Sequence, residues 1–461
     1  MRRLLASRRA PMHAFVHTAT VFAAVCALTA RAQTPERSDV NDIIPYPVTT
    51  DTLDNGLKII VMPMPSNGLA AYWTIVRTGS RDEYEAGRTG FAHFFEHMMF
   101  RGTKRYPAEL YAKTMIGIGA DANAYTTDDY TAYHESFAAV DLETVMKLES
   151  DRFQHLDYSE AAFQTEAGAV YGEYRKTRTN PMFALFEKLQ ATAFGKHTYG
   201  HTTMGYERDI AAMPTLYDYS REFFKRYYRP ENTVLFIAGD VDPPAVVRLA
   251  KKYYADWQRG YVAPDIPTEP AQHQERHVDV SYDGRALPIV AVAYKLPAFD
   301  PTDRIRVAAD LLVDLAFGET STAYRQLVLD EQSVEFLDAT ASRNRDPTLL
   351  DVTARVKDPA KIEDVLAVID QTVMKYRSAP PDPDRLAALQ QRLHYGFIMN
   401  LQTPERVAAR LASFIALSGT LDGVRELYAT YAVVSPADVQ AAAERYLDPE
   451  RRTIAVLRGR Q

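Results

Sequence analysis

From residue 49 onward the chain switches repeatedly between two hydrophobic periods. Residues 57–62 and 70–76 are short apolar runs rich in β-branched and aromatic side chains. They predict two strands, the first introduced by the turn residues Asp54, Asn55 and Gly56. Residues 89–100 repeat their apolar positions at helical spacing, as do 141–156 and 159–178, so three helices are expected. Residues 125–137 alternate and predict one extended strand, and 233–238 predict a short buried strand ended by Gly239 and Asp240. The stretch 259–275 is dense in proline and turn formers and reads as a linker.

The pattern occurs twice. Arg226, Tyr227, Pro230 and Glu231 precede one apolar run; Arg445, Tyr446, Pro449 and Glu450 precede another at 453–457, with an offset of 219 residues. A period this long marks a duplicated domain and not a solenoid. Each copy mixes helices and strands without strict alternation, so the fold class expected is α+β, with one copy over 45–258 and the second over 276–461.

The first 32 residues change the picture of where the chain works. Arg2, Arg3, Arg8 and Arg9 precede a short apolar run at 18–29, and Ala30-Arg31-Ala32 supplies a small-residue cleavage pattern. Together they read as a secretory signal, which implies a periplasmic or secreted protein. Removing this segment takes away five basic residues and no acid, leaving 48 basic against 60 acidic residues, a net charge of −12. Such a balance argues against nucleic acid as a partner. Cys26, the only cysteine, leaves with the signal, so disulfides and thiolate metal sites are excluded. No stretch of the mature chain is long and apolar enough to predict a membrane span.

A metal would therefore need imidazole and carboxylate ligands. His93, Glu96 and His97 supply them as H-x-x-E-H. On a helix, residues four apart share a face, so His93 and His97 can address one ion with Glu96 close beside it. Zinc sites of this kind need a third protein ligand. Glu166 and Glu173, seven apart on the next predicted helix, are both candidates, and spacing does not choose between them. A second pair, His197 and His201, is also four apart, but Gly195 and Gly200 break the helix there and no glutamate lies between the histidines; it reads as a loop.

Glycine 79 to Glu83, Gly90 to Thr103 around H-x-x-E-H, Asn123 to Asp128 with Tyr133, and the Glu166/Glu173 pair resemble the pitrilysin/insulinase family of zinc peptidases, the inverzincins. The likeness is to its short, two-domain bacterial members, related to subunits of the mitochondrial processing peptidase. The resemblance implies one zinc ion per chain on His93, His97 and Glu173, with Glu96 as general base and Glu166 supporting the site from behind. It also implies two related α+β domains facing each other as a clamshell, and an edge strand at Asn123 and Ala124 that pairs with an extended peptide substrate.

One part of the family pattern is broken. Active members carry an Arg and a Tyr seven apart in the second half, where this chain has Val328 and Glu335. The second half also lacks an H-x-x-E-H, its histidines being His273, His277 and His394. The resemblance thus implies a zinc endopeptidase that works as a dimer, either with itself or with a related chain supplying the missing pair. The other reading is a metal-binding, weakly active or non-catalytic peptide-binding subunit.

Overall fold

A computed structural model describes residues 42–460. The export signal read in residues 1–32 lies outside the described residues.

Six strands form the first sheet: β1 (Thr49–Thr52), β2 (Lys58–Pro63), β3 (Leu69–Val76), β4 (Asp121–Thr126), β5 (Thr131–Ala138) and β6 (Thr233–Gly239), in the order β1-β2-β6-β3-β5-β4. The second sheet contains β7 (Arg276–Arg285), β8 (Ile289–Leu296), β9 (Val334–Ala341), β10 (Thr348–Val356) and β11 (Thr453–Arg460), in the order β7-β11-β8-β10-β9. Leaving β1 aside, the two orders are identical. In each, the one parallel pair joins the first strand of the set to the last, β2 with β6 and β7 with β11. The repeated Arg-Tyr motif ends the helices Tyr217–Tyr227 and Pro436–Tyr446, each followed by a 3-10 turn and the closing strand of its sheet. The sequence repeat is a topological repeat, and the class is α+β with two related domains.

Alternation along the strands explains the layering. In β2, Ile59 and Val61 face a core shared with Phe91, Phe95, Val145 and Val246. Ile60 and Met62 face the opposite way, into a core shared with Leu411, Ala412 and Ile415. Those last three belong to the helix Pro404–Ser418, contributed by the second half and packed on β3 and β6. The first half reciprocates: its helix Pro181–Ala193 lies on β7, β8 and β11, burying Leu185 and Leu189 against Ile289, Ala291 and Leu457. Each buried leucine contributes about 1.5–3 kcal/mol. The domains are thus locked face to face by exchanged helices. Residues 257–275 form neither helix nor strand.

Two expectations need correction. Residues 125–137 are not one strand but the end of β4, a turn and most of β5. Thr127 makes the turn: its Oγ1 accepts from the N–H groups of Asp129 and Tyr130, a bond that competes with extension of the strand. The expected helix over 89–100 is α-helical only over Phe91–Met98 and tightens into a 3-10 turn at Met99–Arg101. Among the described residues no single helix is long and apolar enough to cross a membrane.

Candidate metal centre

The helix Phe91–Met98 is short and divided by face. Phe91, Phe94, Phe95 and Met98 are buried, with Phe95 stacked 5.4 Å from Phe223 and Phe94 edge-on to Phe163 at 5.1 Å. That leaves His93, Glu96 and His97 on the other face. Gly90 caps the helix with φ near +94°, where a Cβ would meet the Met204 carbonyl oxygen at 2.8 Å. The first turn is secured by Glu83, whose two oxygens accept from the N–H groups of Gly90 and Ala92, both at 2.7 Å. Burial pushes the Glu83 carboxyl up to about 8 against the pull of those amides.

Ligand atoms of His93, Glu96 and His97 all lie within 4.8 Å of one another. Glu173, from the helix Glu160–Thr177, brings Oε2 to 3.1 Å from His97 Nε2 and 3.9 Å from His93 Nε2. Glu166, two turns earlier, lies behind the cluster: its Oε1 is 3.1 Å from His97 Nδ1, and Arg101 Nε donates to its Oε2 at 2.5 Å. Of the two glutamates, Glu173 meets the Nε2 atoms and Glu166 the far side of one ring. With Nδ1 donating to Glu166, His97 presents the lone pair of Nε2.

The donor set fits zinc. A tetrahedral ion with bonds of about 2.0 Å separates its ligand atoms by about 3.3 Å, close to the 3.1 and 3.9 Å found between Glu173 and the two imidazoles. Burial, reinforced by neighbouring His97, pushes His93 down to about 3, so it is neutral and able to ligate. The hydrogen bond to Glu166 raises His97, working against burial.

Glu96 belongs to the same cluster. Thr126 Oγ1 donates to its Oε2 at 2.7 Å. Burial raises its carboxyl, with Thr126 opposing. Thr126 ends β4, the outermost strand of its sheet. Thr127 N–H bonds to the Tyr130 carbonyl, and antiparallel alternation from that pair turns the backbone groups of Ala122, Ala124 and Thr126 away from β5. Ala124 N–H is met only by the neighbouring Asn123 Oδ1, at 2.8 Å. Asn123 and Ala124 therefore sit on the edge that runs to Glu96.

Sequence reasoning singled out the histidines and glutamates but missed what Thr126 and Arg101 do. Both fall within the stretches that carried the family resemblance, so their positions were visible though their contacts were not. His197 and His201 lie in a loop, as read: His197 Nε2 approaches Asp346 at 3.0 Å, and His201 is buried with Nε2 4.0 Å from Glu83. Val328 packs partly buried against the core, and Glu335, on β9, pairs with Arg355 at 3.3 Å.

Two family models match the chain. That of insulinase (peptidase family M16) covers residues 59–207, and that of the M16 inactive domain covers 216–393. The zinc protease PqqE of Helicobacter pylori is 27% identical over 417 residues, 88% of this chain and 92% of that protein. The crystal structure of a protease from Helicobacter pylori superposes with a TM-score of 0.83 at 27% identity, covering 90% of this chain and all of that one. The periplasmic protease PqqL of Escherichia coli shares the fold, with a TM-score of 0.73 at 20% identity. The match covers 89% of this chain but 47% of PqqL, so the chain spans about half of that protein.

Proposed function

The chain belongs to the M16 peptidase family, and from that premise we propose that it is a zinc-dependent endopeptidase acting on peptides or unfolded segments. The observation that carries the reading is the meeting of Glu173 Oε2 with both His93 Nε2 and His97 Nε2 while Glu96 stays hydrogen-bonded to the end of an edge strand.

His93, His97 and Glu173 are the residues that hold the metal. Bound there, zinc supplies a Lewis acid that acidifies water and polarises a carbonyl. The remaining work falls to side chains and backbone. An extended peptide adds to the outer edge of β4 through Ala124, and Asn123 releases the N–H it covers. Thr126 holds Glu96 Oε2, so Oε1 takes the proton of the attacking water and returns it to the leaving amine. Glu166, anchored by Arg101, keeps the His97 ring in register. Zinc-loaded protein is expected to cut an unstructured peptide, and Glu96→Gln to abolish cleavage while keeping the metal. Equal rates in parent and variant reject the assignment of the base.

The signal pattern of residues 1–32 supports export to the periplasm or beyond. A second reading rests on Val328 and Glu335. Valine donates no hydrogen bond, and Glu335 is tied to Arg355, so these two positions offer no donor for a developing oxyanion. Loss of one such donor costs about 10²–10³ in rate. A dimer with a related chain that supplies Arg and Tyr meets the deficit, with this chain as a weakly active, metal-binding subunit. Activity of the pure chain with and without that companion separates the two: full activity alone rejects the subunit reading.

A further inference from the structure

Both halves and the stretch between them meet around a cavity of about 230 Å³, lined by Phe194, Pro270, Lys295, Pro347, Arg445 and Tyr446 among others. Phe194 follows the exchanged helix Pro181–Ala193, Lys295 lies on β8, and Arg445 and Tyr446 end the helix Pro436–Tyr446. Lys295 Nζ is buried 3.2 Å from the centre of the Phe194 ring and has no hydrogen-bond partner. A ring face eases the charge of an ammonium but leaves three N–H donors wanting acceptors.

The two carboxylates that line the same cavity are already engaged. Glu269 accepts from the consecutive backbone N–H groups of Gly195, Lys196 and His197 at 2.8, 2.8 and 3.0 Å. Asp448 accepts from Arg451 Nε at 2.6 Å and from Glu450 N–H at 3.1 Å. Arg445 is exposed and stacks only on its neighbour Tyr446, at 5.4 Å. Burial holds the Lys295 amine down to about 7, with Glu269 opposing and Arg276 adding to the effect. The buried amine thus lies in the field of Glu269 but makes no hydrogen bond to it or to any other acceptor.

We propose that this cavity binds a small carboxylate with an apolar body, its oxygens on Lys295 Nζ and Arg445 and its body against Phe194, Tyr446 and the two prolines. Ligand pockets of this kind are mostly apolar with a few convergent polar groups. The volume suffices, since a cavity of about 150 Å³ accepts benzene. Because the lining comes from both halves and the connecting stretch, occupancy should raise thermal stability.

Benzoate is the probe, titrated calorimetrically into the zinc-loaded full chain, with inorganic phosphate in parallel. Benzoate is expected to saturate one site and raise the melting midpoint. Lys295→Met is expected to weaken this binding at least about tenfold, the effect of losing a charge-assisted hydrogen bond, while peptide cleavage persists. Carboxylate bound at the zinc would be equal in parent and variant, and that result overturns the proposal. So does the absence of saturable benzoate binding, and so does phosphate binding as tightly as benzoate. Should Lys295→Met fail to fold, peptide mapping of reductively methylated parent protein decides: benzoate must shield Lys295 from the reagent, and unaltered labelling rejects the site.

Discussion

Arg306 and Asp310 form a buried ion pair, Nη1 to Oδ1 at 3.0 Å, one turn apart on the helix Arg304–Phe317. Counted from the helix caps, these are the third and seventh residues after Asp303, just as His93 and His97 are the third and seventh after Gly90. The second half thus holds a guanidinium and a carboxylate where the first holds two imidazoles. Arginine has no lone pair to offer a metal. Asp310 is further saturated by Arg343 at 2.9 Å and by the Tyr431 hydroxyl at 2.8 Å. The face that carries the candidate metal ligands in the first half is, in the second, a saturated ion-pair network.

Asp310→Ala should therefore act on stability and not on the metal. Removing one partner of a buried ion pair strands the other, a loss of about 3–5 kcal/mol. Denaturant titration should show that loss, while zinc analysis of the folded variant should still give about one ion per chain. A variant as stable as the parent contradicts this account.

The histidine face was legible in the sequence because helical periodicity is local: residues 93 and 97 share a face whatever surrounds them. The different surroundings of Glu166 and Glu173 were not, because Arg101 reaches across from the turn after the histidine helix to bond Glu166. The family resemblance implies Glu173 as the ligand, a choice that periodicity leaves open. The β4–β5 hairpin escaped notice because Thr127 turns the chain with hydroxyl bonds, without the glycine or proline that usually marks a turn. The exchange of Pro181–Ala193 for Pro404–Ser418 had no sequence signal at all, since an apolar helix face does not reveal which sheet it covers.

Arg101 and Glu166 offer a sharper test of the metal centre. Glu166→Gln loses the charge that orients His97, and Arg101→Met frees Glu166 to turn away. Partners behind a ligand typically contribute 10–100-fold to metal affinity, so both variants should bind zinc about that much more weakly in a chelator competition. Parent-like affinity in both would leave Glu166 without a role there.

Asp351 on β10, in the second half, should give stability a pH dependence of its own. Burial pushes its carboxyl up to about 7; a hydrogen bond from Thr353 opposes the shift and nearby Asp338 adds to it. An unfolded aspartate titrates near ~3.9. Between those values the folded chain holds a proton that the unfolded chain has lost, so this group makes stability fall as pH rises through the window. Asp351→Asn removes the dependence. The variant should match the parent near pH 4 and exceed it in stability at pH 8, as read by urea midpoints. A constant difference at both pH values would show that Asp351 does not titrate in the window.

Thr126 links the edge strand to Glu96, the proposed general base, and its removal should separate chemistry from binding. Its Oγ1 is 2.7 Å from Glu96 Oε2, while the backbone edge offered by Ala124 does not depend on that hydroxyl. Thr126→Val keeps the shape and β-branching of the side chain but not the donor. A hydrogen bond to a charged group is worth about 1.5–3 kcal/mol, so kcat on an unstructured peptide should fall roughly tenfold or more. KM should stay within about twofold, because the strand still pairs with substrate, and bound zinc should be unchanged because neither histidine is touched. Thr126→Ser, which restores the hydroxyl without the methyl group, should recover most of the lost rate. If Thr126→Val instead raises KM with kcat intact, the hydroxyl belongs to substrate binding, and Glu96 must be oriented by some other group.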